Sequence, residues 1–142
     1  MRIGIYIILL IALIVASITD LKKHEIPTWV FPGSLYLCIF YIAILNEKYF
    51  QMDNLIGYLC AAIPVLIACL LDKMGGADLI MFSTIGLILG TQDMLPYVLC
   101  LMICGVVVVL LIKDKKKEIA IAPIAGAAYI LFLIGKVVLY YV

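Results

Sequence analysis

Met74-Gly75-Gly76-Ala77-Asp78-Leu79 sets an acidic residue behind paired glycines, immediately ahead of Leu79 to Gly90, a run without a single charge. An aspartate in that place sits at the mouth of a membrane helix. A carboxylate there is costly, roughly +2.5 to +3.5 kcal/mol at a helix centre on the insertion scale and less near its end. A chain does not need such a residue in order to fold in lipid, so Asp78 marks chemistry. Asp20 closes the first apolar run in the same manner, and the two carboxylates are expected to meet on one side of a membrane.

The rest of the chain agrees with a membrane reading. It is 142 residues long, 68% hydrophobic and 13% charged, where soluble domains are about 45–50% apolar and about 25% charged. Six apolar runs approach the roughly 17–25 residues that a spanning helix needs. They lie at about Ile3 to Thr19, Trp29 to Leu45, Asn54 to Leu71, Leu79 to Gly90, Leu95 to Ile112 and Ile119 to Val142. The expected fold is all-α, a polytopic membrane protein of about six transmembrane helices forming a single domain over residues 1–142. Lys22, Lys23, Lys73, Lys113, Lys115, Lys116 and Lys117 fall on one side, against Arg2, Lys48 and Lys136 on the other. By the positive-inside rule the first side is cytoplasmic, which puts both termini outside and Asp20 and Asp78 at the cytoplasmic face. Trp29, Tyr49, Tyr97, Tyr140 and Tyr141 suit the aromatic belts at the two interfaces. Asp93 reads as a solvated helix end.

The fourth run is the short one. A dozen residues make a helix of about 18 Å, well under a hydrocarbon core of about 30 Å. Its start is therefore expected below the membrane surface, with Gly75-Gly76 as irregular backbone lining a cavity, the one setting in which such backbone is tolerated at depth. Gly86 and Gly90 form a small-xxx-small pattern, which reads as a close helix contact.

Two carboxylates brought within hydrogen-bond reach can share one proton, because like charges a few ångströms apart cannot both ionise. The ionised one takes a proton from water while the protonated one donates to the carbonyl under attack. Other hydrolytic systems lack parts. There is one histidine, His24, and no G-x-S-x-G or H-E-x-x-H pattern. Cys38, Cys60, Cys69, Cys100 and Cys104 form no C-x-x-C pair, so a zinc site is not expected and the thiols read as packing residues. No basic tract is long enough to argue for nucleic acid.

Beyond this point the residues carry a resemblance. Asp20 to Trp29, with Ile26-Pro27-Thr28 inside it, resembles the D-x5-I-P-N block of the type IV prepilin peptidases. Gly75-Gly76-Ala77-Asp78 resembles their G-x-G-D block, and Ile85, Gly86, Leu87, Leu89 and Gly90 continue the match without a gap. Ala120 to Pro123 is similar to the family's P-F-x-P stretch. Thr28 stands for the usual Asn, Ala77 for the second Gly, Ile80 for a lysine and Ala120 for a proline.

The resemblance implies an aspartic endopeptidase of the cytoplasmic membrane. It would cut the basic leader from type IV prepilins or pseudopilins after a glycine, serving a pilus or secretion system and using no cofactor. It makes Asp20 and Asp78 the catalytic pair and Ile26, Pro27, Thr28, Gly75, Gly76 and Ala77 the residues that shape the site, with Pro27 fixing the start of the second helix. The family's full-length members also methylate the new N-terminus. Here the first cytoplasmic loop, about Asp20 to Thr28, is too short for their Cys-rich segment, so a peptidase-only form is expected. The expected partners are a prepilin-like substrate and the lipid bilayer. Two other classes compete with this reading: a small ion-coupled transporter or channel subunit with Asp78 as an ion site, and an inactive scaffold of a pilus or secretion assembly. Within the peptidase reading, the helix ends assign roles. Asp20 closes a helix, at the negative end of its dipole, and Asp78 opens one, at the positive end, which makes Asp78 the resting base and Asp20 the resting acid.

Overall fold

A computed structural model describes residues 3–23, 26–45, 52–71, 74–111 and 120–141, and within them the chain forms five helices. These are α1 (Ile3–Lys23), α2 (Val30–Leu45), α3 (Met52–Leu70), α4 (Gly76–Leu111) and α5 (Ile121–Tyr141). The fold is all-helical, and α1, α3, α4 and α5 are long and apolar enough to cross a membrane. At 16 residues α2 is shorter. Outward-facing residues such as Leu70, Leu110 and Leu139 are more than three-quarters exposed, the surface that lipid, and not water, selects. Arg2, Lys48, Lys73 and the lysines at 113 and 115–117, used above for orientation, lie outside the described residues.

Where six runs were expected, five helices appear, because the fourth and fifth runs join in α4. That helix has 36 residues, and straight it would reach about 54 Å, far beyond a core of about 30 Å. It is not straight. Gly90 has φ 71° and ψ 177° and breaks it, in a backbone region that essentially only glycine occupies. A break in a helix frees backbone groups that need other partners. Asn54 Nδ2 donates to the Leu87 carbonyl at 2.9 Å, and the Thr91 hydroxyl donates to the Asp53 carbonyl at 3.0 Å. The first turn of α3 is thereby stitched across the break.

The helix contacts give the chain's direction on each side of Gly90. Before it, Gly86 packs on Gly57 and Ala61 of α3, while Cys69 meets Gly75, so α3 and the first half of α4 are antiparallel. After it, Asp93 pairs with Lys136, and Tyr97 lies against Tyr129 with its hydroxyl donating to the Ala125 carbonyl at 3.3 Å. As α4 advances from Asp93 to Tyr97, its partners on α5 step back, so the second half of α4 runs opposite to α5. The small-xxx-small expectation for Gly86 thus holds, with Gly57 as its unforeseen partner. A Cβ built on Gly86 would stand 2.5 Å from the Gly57 carbonyl oxygen, and one on Gly57 would stand 2.6 Å from the Gly86 carbonyl oxygen. Helices in lipid gain little from apolar burial against one another, so this close van der Waals approach is what holds the pair.

Along α1, Ile5, Leu9, Leu13 and Ala16 form one buried face, and α5 answers with Ala122, Ala125, Ala128, Tyr129 and Phe132. The two helices are antiparallel, with Asp20 against Ala122 at one end and Tyr6 against Tyr129 at the other. Two expectations fail at that other end. Asp93 is not a solvated helix end: it accepts from the Tyr6 hydroxyl and pairs with Lys136 Nζ at 2.6 Å. Lys136 also donates to the Tyr6 hydroxyl at 2.5 Å and lies 4.6 Å from the Tyr6 ring centre. This clasp ties α1, α4 and α5 together. Nor is Tyr97 a belt residue. It is fully buried, edge-on to Tyr129 and Phe132.

Candidate active site

Asp78 lies in the first turn of α4. Gly75 precedes the helix, and its carbonyl accepts the N–H of Asp78 at 3.1 Å and of Leu79 at 3.4 Å. The Gly75 N–H in turn donates to Asp78 Oδ2 at 3.0 Å. This is half of a capping box, the carboxylate three residues into the helix reaching back to the capping residue. Glycine has no side chain to return the bond. The Cys69 thiol donates to the Gly75 carbonyl at 3.4 Å, so this cysteine does more than pack.

Asp20 sits in the last turn of α1, which continues past Thr19 to Lys23. Its Oδ2 accepts the N–H of Ala122 at 3.0 Å, and Ala122 belongs to the first turn of α5. Ser17, one turn back on α1, brings its hydroxyl within 3.1 Å of the Ala122 carbonyl and 2.6 Å of the Leu13 carbonyl. Gly126 leaves it room, since a Cβ there would stand 3.0 Å from Ser17 Oγ.

Both carboxylates are nearly buried, Asp20 at 6% exposure and Asp78 at 8%. Each gives one oxygen to a backbone N–H at a helix start, where the positive end of the dipole favours an anion. Each leaves its other oxygen without a partner among the described residues.

A cleft of about 870 Å³ opens beside Asp78. It is lined by every other position singled out for the site except Asp20: Ile26, Pro27, Thr28, Gly75, Gly76 and Ala77. Asp20 does not line it, but Thr19, its neighbour in the chain, does, together with Val15 of α1. Comparison with protein families matches residues 7–110 to the type IV leader peptidase family. The chain belongs to that family. The match takes in both aspartates and ends before α5, so the Ala122 donor lies outside it. Neither the curated proteins nor the solved structures provide a match. At the level of the family, then, this is a membrane-embedded peptidase.

Within the family frame, the motif positions fall as follows. Pro27 stands three residues ahead of α2, and its carbonyl accepts the Val30 N–H at 3.2 Å. That bond closes the turn through backbone, and Thr28 is exposed on the cleft wall. Ala77 is helical, so the departure from the G-x-G-D pattern carries no backbone strain; Gly90 is the only described glycine with positive φ. Gly75 and Gly76 meet no steric limit, with at most an ordinary contact from Gly75 to Asp78 Oδ2. Sequence reasoning missed Val15, Thr19 and Trp29 in the cleft, and the Ala122 N–H on Asp20. Val15 and Thr19, lying within an apolar run, gave no signal, and Trp29 read as a belt residue.

Proposed function

We propose that the chain is an aspartic endopeptidase of the cytoplasmic membrane that removes the basic leader of type IV prepilins or pseudopilins at the cytoplasmic face, on behalf of a pilus or secretion system. The observation that carries this reading is the pair itself. Two nearly buried motif aspartates from different helices are each oriented by a backbone N–H at a helix start, with Asp78 lining an open cleft that Thr19, next to Asp20 in the chain, also lines. In the shared-proton state, the ionised carboxylate takes a proton from water as the water oxygen bonds to the scissile carbonyl carbon. The other donates its proton to the carbonyl oxygen. Collapse of the tetrahedral adduct breaks the C–N bond, and the amine leaves with a proton returned by the carboxyl that received one. Asp20, Asp78 and water suffice for this cycle, and no cofactor enters it.

The topology that goes with this function has six crossings and both termini outside. It draws support from the reversal of α4 at Gly90, which sends Thr91–Leu111 back along α5 as a separate segment. A peptidase-only form fits the short connection between α1 and α2.

The test is co-expression with a prepilin carrying a lysine-rich leader and a glycine before its apolar run. The expected outcome is a mobility shift and a new N-terminus that mass spectrometry finds as a free amine. Persistence of full-length precursor alongside a well-expressed, membrane-inserted chain contradicts the reading. A terminus heavier by one methyl group contradicts the peptidase-only form.

A further inference from the structure

The cleft beside Asp78 holds the chain's single tryptophan, Trp29. Its side chain is 72% exposed, yet its backbone is firmly placed. The Pro27 carbonyl accepts the Val30 N–H on one side of it, and its own carbonyl accepts the Gly33 N–H at 2.9 Å. An indole that could have turned into the bundle instead stands at the start of α2 on the rim of a functional cleft.

The remaining lining says what can bind there. Among the described residues Asp78 is the one charged side chain that lines the cleft; Val15, Ile26, Pro27 and Ala77 are apolar. Of the two hydroxyls, that of Thr19 lies 2.9 Å from the carbonyls of Val15 and Ala16 and is spent on its own helix. Among the described residues this lining offers a basic side chain only the Asp78 carboxylate. It offers a flat aromatic face to an apolar one.

The geometry points to Trp29 as a specificity-determining residue, seating an uncharged apolar side chain next to the scissile bond. This assignment rests on the peptidase reading above and deepens it. The competing role for Trp29 is an interfacial anchor in lipid, and the two make opposite forecasts.

Because Trp29 is the sole tryptophan, its emission reports on this position alone. The Asp78→Asn chain in lipid nanodiscs is titrated with a peptide bearing a lysine-rich leader, a glycine and an apolar run. Emission is expected to move to shorter wavelength and to become protected from iodide. In parallel, wild type, Trp29→Phe and Trp29→Ala cleave a peptide series with Leu, Ala or Ser in turn at each position flanking the scissile bond. Wild type is expected to prefer Leu at one of the two positions by about tenfold in kcat/KM, the scale of a pocket contact. Trp29→Phe keeps that preference, and Trp29→Ala brings it within about twofold through a higher KM for the Leu peptide. The assignment is overturned if Trp29→Ala keeps the wild-type preference at both positions. It is also overturned if saturating peptide leaves the emission unmoved while brominated lipid quenches it, the mark of an anchor. Wild type that cleaves none of the series refutes the peptidase reading itself, and the assignment falls with it.

Discussion

Asp78 takes its backbone donor from Gly75, three residues earlier, whereas Asp20 takes its donor from Ala122, 102 residues later. The first arrangement is local: a helix start and a carboxylate at its third position make it together. The second exists only once α1 and α5 have packed. The difference undoes the assignment of roles made from helix ends. Asp20 is indeed in the C-terminal turn of its own helix, but its carboxylate faces the N-terminal turn of another. Both members of the pair therefore see the positive end of a helix, and dipoles no longer decide which is the resting acid.

The two routes should break under different substitutions. The largest effect is expected on the α4 side. Gly86→Leu would put a Cβ 2.5 Å from the Gly57 carbonyl oxygen and 2.6 Å from the Ala61 Cβ. Backbone cannot yield as a flexible side chain would, so a loss of about 3 kcal/mol or more is expected. The chain should fail to accumulate, or melt far below wild type in detergent. Normal melting would show that α3 and α4 do not depend on that approach. On the Asp20 side the disturbance is more distant. Lys136→Met strips Asp93 of its cation, with Tyr6 and Asp93 roughly 20 Å along the bundle from Asp20. Since the Lys136 side chain is 41% exposed, water screens part of the loss, and about 1–2 kcal/mol of stability is expected. Asp93→Asn in the same chain should restore part of it in a thermal melt. A double variant worse than either single one would mean that the clasp is not one unit.

These contrasts trace what could be read from residues alone. Asp78 and its glycines were legible because their pattern is local: an acid ahead of an uncharged run. Gly86 was legible as a contact, but its partner Gly57 was not, since a glycine early in an apolar run carries no mark of what it faces. The break at Gly90 was hidden for a related reason. The short fourth run was read as starting deep in the membrane, while the structure shows it ending at a turn only glycine can make. Ala122 offers a backbone N–H, which no sequence pattern advertises. Asp93, Tyr6 and Lys136 lie on three helices, and each alone resembles ordinary interfacial polarity.

The smallest effects are expected at the glycines that drew notice first. A Cβ on Gly76 meets nothing within 4 Å, and one on Gly75 meets only Asp78 Oδ2 at 3.6 Å. Gly75→Ala keeps the N–H that holds Asp78, and Gly76→Ala replaces glycine in a helix, where alanine is better by up to about 1 kcal/mol. Both should cleave prepilin within about twofold of wild type and melt no lower. A large loss of cleavage with normal melting would mean that bound substrate, and not the fold, needs the bare backbone.

The central claim is that Asp20 and Asp78 act as one unit despite their different routes. Cleavage rates of Asp20→Asn, Asp78→Asn and the double variant, in the same vesicles and on the same prepilin, test it most directly. Each single variant should lose at least about 10³-fold, and the double variant should be no slower than the slower single one, as for groups that share one step. Near wild-type processing by either single variant, or losses that multiply in the double, would contradict it.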